Sequence, residues 1–165
     1  MTGVQTCALP IYHHGMQDSH PCLTPLDSNS HLGSSSHINT TTPTEQKKMS
    51  IEVYQSAVGS LMYAMLGTRP DIAYAVGLVS QFNHSPLLEH TVKKIFRYLR
   101  GTRRHKLQYG SSNGSGGYCD ADWGSGNDRK SLGEFVFLLN GGAVSWASKK
   151  QTSIALSTTE VVYRP

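Results

Sequence analysis

The apolar pattern of this chain changes from a helical to a strand-like period past its middle, and that change restricts the fold more than any other feature. From residue 51 onward the apolar side chains return every three or four positions, as on helices with one buried side. From residue 118 they gather in short runs rich in aromatic and β-branched residues, parted by turn residues, as in strands. The glycine and serine stretch SSNGSGG (111–117) separates the two textures. Helices followed by strands predict an α+β chain with an antiparallel meander.

Three helices are marked by their starts and stops. The first covers residues 51–66, with Val53, Ala57, Leu61 and Ala64 on one side and Gly67 as its stop. The second opens at TRPD, where Pro70 suits the first helical position and Asp71 complements the helix dipole, and continues through Ile72, Val76 and Val79. The third opens with Ser85 as cap and Pro86 in the first turn, and ends at Gly101. Together they predict a compact helical unit over residues 51–110. The strands are YCDADW (118–123), EFVFLL (134–139) and AVSWAS (143–148), joined at the turn signals SGND and NGG into an antiparallel meander. Ser157 with Glu160 three residues later is a capping box that begins a stub of helix. Three strands and that stub cannot close a core alone, so residues 111–165 read as an incomplete domain.

The first fifty residues explain why only 38% of the chain is hydrophobic. MTGVQTCALPIY (1–12) has no basic residue before its apolar piece, unlike a secretory signal, and resembles the translation of a sequencing-adapter oligonucleotide. Residues 13–50 are polar and predict a disordered linker. Their five histidines, His13, His14, His20, His31 and His37, match no metal-ligand spacing. Cys7, Cys22 and Cys119 are an odd number without CxxC spacing, which implies free thiols in a reducing compartment. No apolar run reaches the ~20 residues of a membrane span. The expectation is an intracellular chain, in the cytoplasm or nucleus, that is not secreted and does not contact a membrane.

The blocks AVGSLMY, TRPDIAYAV, RYLRGT, DADW and SWASKKQT stand in this order, preceded by GMQDSHPCLTPL. In that order they resemble the Pol polyprotein of copia-type LTR retrotransposons. The resemblance implies that residues 51–110 are a thumb- or connection-like end of a reverse transcriptase, and that residues 111–165 open a ribonuclease H domain. The palm with its catalytic aspartates would lie upstream of residue 13, so no polymerisation is expected from this chain. Ribonuclease H chemistry needs several carboxylates around two divalent ions, magnesium in the parent family. By the resemblance Asp120, on the first strand, is the one ligand retained, with Asp122 at the same strand parity. The second ligand should stand just before the tyrosine of the first helix, where this chain has Val162 in STTEVVY. Glu160 lies two residues away, on the opposite side of a helix, and serves the cap instead. Glu134 also departs from the family, which usually has glycine there. Asp120 is therefore a vestigial catalytic and metal position, and no cofactor is expected in this fragment.

Residues 51–110 hold eight Lys and Arg against three Asp and Glu, while residues 111–165 hold five of each. On the third helix Val92, Ile95, Phe96 and Leu99 form an apolar stripe, and Lys93, Arg97, Arg100 and Arg104 form a basic stripe beside it. That face suits weak, non-specific contact with an RNA–DNA hybrid or duplex; no defined protein partner is implied. Lys149 and Lys150 are a weaker second patch. Arg97 to Arg100 also spell RxLR, the signature of secreted pathogen effectors, but here Leu99 belongs to the apolar stripe. The expected function is that of a truncated, catalytically inactive Pol fragment. A non-catalytic nucleic-acid-binding remnant and a secreted effector are the alternatives.

Overall fold

The computed structural model describes residues 3–26, 49–84, 88–110, 114–123 and 129–163. The chain divides into two compact units, Met1–Ser28 with Lys48–Tyr109, and Asn29–Lys47 with Gly110–Pro165.

The first unit is helical. Helix α1 (Gly3–His13) is followed by α2 (Ile51–Thr68), a 3-10 turn (Pro70–Ile72), α3 (Ala73–Ser80) and α4 (Glu89–Gly101). Ser50 caps α2, its hydroxyl accepting from the Val53 amide at 3.4 Å, with Glu52 in the first turn where the helix dipole favours an acid. The buried stripe of α2 is Tyr54, Ala57, Val58, Leu61 and Ala64. Val53, expected on that stripe, is exposed, because Tyr54 takes its place and sends its hydroxyl to the Val79 carbonyl at 2.9 Å. Burial pushes the Tyr54 phenol up to about 12. Gly67 does not stop α2, which runs on to Thr68 and ends with the Arg69 amide bonded to the Ala64 carbonyl. Ile72, Val76 and Val79 are buried as expected, although PDI forms a 3-10 turn before the α-helix begins. Ser85 and Pro86 lie outside the described residues, and the residue at the N-cap of α4 is Leu88. Val92, Ile95, Phe96 and Leu99 are all buried.

One expectation for the N-terminal part is corrected, that of disorder beginning at residue 13. Residues 3–12 form most of α1, which packs against α2 and α4 and buries Ile11. Residues 13–26, expected to be disordered linker, lie against the same helices. Their polar composition misled because the seat is made largely by backbone groups. The remainder of that linker, with His31 and His37, falls in residues 27–48, outside the described residues.

The second unit is a three-stranded antiparallel sheet in the order β1 (Gly116–Asp122), β2 (Leu132–Leu139), β3 (Gly142–Lys150), followed by α5 (Thr158–Tyr163). Its meander is the one expected from the sequence, with β2 starting two residues earlier and β3 extended by one residue at its start and two at its end. Asn140 and Gly141 form the two-residue turn between β2 and β3, both at positive φ (48° and 79°), as a primed hairpin turn requires. The SGND turn lies outside the described residues. Phe135 and Phe137 share one sheet face with ring centroids 5.5 Å apart, and the Phe137 ring occupies the space a β-carbon on Gly117 would need. Helix α5 packs on β1, and the Trp123 indole donates to the Ala155 carbonyl at 3.2 Å. Ser157 and Glu160 do cap α5: the Glu160 amide donates to the Ser157 hydroxyl at 3.2 Å, and the Glu160 carboxylate accepts from the Leu156 amide at 2.6 Å.

Candidate nucleic-acid interface

The α4 helix owes its orientation to a charged lock that the sequence pattern did not reveal. Arg69, 1% exposed, donates through Nε and Nη2 to the two Asp71 carboxylate oxygens at 2.9 and 2.6 Å, a bidentate pair. Its Nη2 also reaches the Thr102 hydroxyl at 2.6 Å, and its guanidinium lies 5.5 Å from the centre of the Tyr98 ring. The Tyr98 hydroxyl donates to Asp71 at 2.8 Å. Burial drives the Asp71 carboxyl upward, but the hydrogen bonds from Arg69 and Tyr98 and the Arg69 charge outweigh it and hold the group below its ordinary value. Burial and the Asp71 carboxylate raise the Tyr98 phenol. The sequence reading assigned Asp71 to a helix dipole; the pairing two residues apart across Pro70 is what it missed.

The basic stripe is only partly free. The α4 helix ends at Gly101, so Lys93, Arg97 and Arg100 stand on it while Arg104 lies in the turn that follows. Lys93 pairs with Glu89 one turn earlier, and Glu89 also accepts from the Met49 amide at 2.9 Å. Burial opposes ionisation of Glu89, yet Lys93 and that amide leave its carboxyl below its ordinary value. The Arg97 Nε–H donates to the His20 carbonyl at 2.7 Å, so its guanidinium is drawn to the N-terminal segment. Arg100 is half-buried and Arg104 exposed, and neither has a partner among the described residues. The exit of the helix adds Arg103 and Lys106, both exposed, which the stripe count had left out. Leu99, the third letter of RxLR, is 0% exposed.

Among the described residues the sheet carboxylates do not assemble a metal site. Asp120 is exposed on β1, one oxygen accepting from the neighbouring Ala121 amide at 2.8 Å. Its register partner on β2 is Glu134, which accepts from the Ser148 hydroxyl at 2.7 Å, and Asp122 pairs with Leu132. Val162 is exposed on α5 and offers no oxygen. Among the described residues no group of three His, Cys, Asp or Glu is placed to hold a metal ion, so these side chains do not fit a two-magnesium centre. Cys22 and Cys119 are free thiols. No described helix is long and apolar enough to cross a membrane.

Comparison with known proteins finds relatives over nearly the whole chain. It is 49% identical over 152 residues to the retrovirus-related Pol polyprotein from transposon TNT 1-94 of Nicotiana tabacum, covering 90% of this chain and 11% of that protein. It is 40% identical over 149 residues to the retrovirus-related Pol polyprotein from transposon RE1 of Arabidopsis thaliana, covering 87% of this chain and 10% of the relative. A shorter relative, named secreted RxLR effector protein 161 from Plasmopara viticola, is 47% identical over 115 residues, which are 67% of this chain and 81% of its own length. The chain thus spans about a tenth of the transposon polyproteins that it matches. No family model and no solved structure matches it.

Proposed function

We infer that the chain is a piece of a retrovirus-related Pol polyprotein from a transposon, the segment where a copia-type reverse transcriptase ends and a ribonuclease H domain begins. Its proposed role is to hold an RNA–DNA hybrid or duplex nucleic acid, weakly and non-specifically, without cleaving it. One observation carries this reading: α4 turns its apolar side wholly inward and leaves Arg100, Arg103, Arg104 and Lys106 accessible along one end. Contacts of that kind neutralise phosphates and position a duplex without reading its bases. The absence of hydrolysis is supported by the isolation of Asp120 and by Val162 in place of a second carboxylate.

Binding is tested by fluorescence anisotropy of a labelled hybrid across a salt series. Log affinity should fall against log salt with a slope of about −3, and Arg100→Gln with Arg104→Gln should flatten it by about two units. Incubation of the hybrid with magnesium or manganese should leave the RNA strand intact. Cleavage that disappears in Asp120→Asn would refute the inactive reading.

The name of the Plasmopara relative favours a second reading, a secreted effector using RxLR. Leu99 is buried in the helical core and Arg97 is tied to His20, so this string is not displayed as a linear signal. The Pol reading accounts for more of the chain.

A further inference from the structure

We propose that residues 20–22 form a strap which occupies the basic side of α4 and must leave before Arg97 can meet a phosphate, so that the nucleic-acid site inferred above carries its own competitor. The strap runs antagonistically to the proposed ligand in a literal sense: the His20 carbonyl takes the Arg97 Nε–H at 2.7 Å, as a phosphate oxygen would. The Cys22 amide donates back to the Arg97 carbonyl at 3.4 Å, and the Cys22 thiol donates to the Lys94 carbonyl at 3.3 Å. What admits the strap is Gly101. A β-carbon there would lie 3.1 Å from Cβ of Pro21 and 3.4 Å from the Cys22 carbonyl, so any side chain would push the segment outward from the end of α4 by a few tenths of an ångström. His20 and Pro21 are exposed, and Leu23, the residue after the strap, is 95% exposed, as suits a segment held by few contacts and able to lift away. Gly101 was read from the sequence as a helix stop; in the structure it is the last helical residue, and its lack of a side chain is the seat.

The inference rests on the nucleic-acid reading, and one experiment separates the two. Gly101→Leu in the full chain crowds the seat without touching a cation, and Cys22→Pro removes the amide that bonds Arg97. Hydrogen exchange reports whether the strap has left, through loss of protection around Cys22 and unchanged protection of residues 92–99. With the strap displaced, anisotropy should show about five- to 150-fold tighter binding of the hybrid, the range that a pair of ordinary hydrogen bonds imposes. The salt slope should steepen by about one unit as Arg97 gains a phosphate. Arg97→Gln added to Gly101→Leu should abolish both gains. Displacement without tighter binding overturns the strap and leaves the nucleic-acid reading standing. Protection that survives both substitutions also overturns it, since the contacts named here would then not be those that seat the segment. Binding by neither the parent nor the variants overturns the nucleic-acid reading itself.

Discussion

Among the described residues, sixteen apolar side chains from Ile11 to Leu99 are buried in the helical unit, whereas the sheet unit buries two, Ala143 and Ala155. The difference does not come from composition alone, since β2 carries Phe135, Phe137 and Leu139. It comes from geometry. A helix needs one partner for its apolar stripe, and α2, α3 and α4 supply one another. A three-stranded sheet has two faces, and α5, six residues long, covers part of one strand. Phe137 is therefore half-exposed while Phe96 is 2% exposed. The helical unit is a finished core, and the sheet unit is a correctly paired layer with much of its apolar surface uncovered.

Both tryptophans, Trp123 and Trp146, belong to the sheet unit, so tryptophan fluorescence and helical circular dichroism follow the two regions separately. The largest expected separation comes from Asp71→Ala. This removes the partner of a guanidinium whose side chain is 2% exposed, and breaking such a pair costs about 3–5 kcal/mol. The helical transition in urea should shift by that amount and the fluorescence transition should not move. Coincident shifts would mean that the two units unfold as one body. Next in size, Leu61→Ala in the core should cost about 2–5 kcal/mol through lost burial and a cavity. Phe137→Ala on the open sheet face should cost about 1 kcal/mol or less, since much of the ring is already in water.

How legible these regions were depends on which atoms make their contacts. The stripe Val92, Ile95, Phe96, Leu99 was readable because burial of a helix side leaves a period in the sequence. The β2–β3 turn was readable because NGG supplies positive φ twice at the right length. The seat of residues 20–22 left no such trace: its contacts run through the His20 carbonyl and the Cys22 amide, groups every residue offers. Arg69 and Asp71 were visible as letters, but a buried charge pair looks in sequence like two solvated residues at a helix start. Tyr54 displaced Val53 from the buried stripe of α2 because its hydroxyl found the Val79 carbonyl, a tertiary partner that periodicity cannot foresee. At Asp120 the structure adds what the sequence does not carry: Glu134, its register partner on β2, accepts from the Ser148 hydroxyl.

Acid should sharpen the contrast between units. The folded-state pKa of Asp71 is depressed, so its contribution to stability is fully present above the unfolded value of ~3.9 and is lost as pH falls through the folded value. Helical stability should thus decline below about pH 4 in the parent and decline less in Asp71→Asn, which has no charge to lose. The fluorescence transition should show no matching dependence on Asp71. An identical pH profile in parent and Asp71→Asn would show that the lock is not ionic in its effect.

Two glycine substitutions have expected effects of opposite sign in the two units, and that opposition is the finest test of the comparison. Gly59 lies in the interior of α2, exposed, with open space where a β-carbon would go. Gly59→Ala should stabilise the helical transition by about 0.5–1 kcal/mol, because alanine loses less backbone freedom on entering a helix and meets no neighbour. Gly141 sits at φ 79° in the hairpin turn, a conformation that costs an L-residue about 1–2 kcal/mol. Gly141→Ala should destabilise the fluorescence transition by about that amount, because the turn sets the β2–β3 register and the sheet has little buried surface to absorb the strain. The same chemical change, one methyl group for one hydrogen, is then a gain where a stripe is already packed and a loss where pairing depends on backbone geometry. If Gly141→Ala were neutral, the register would be held by side chains across the sheet instead, and the description of this unit as a layer secured mainly by its backbone would fail.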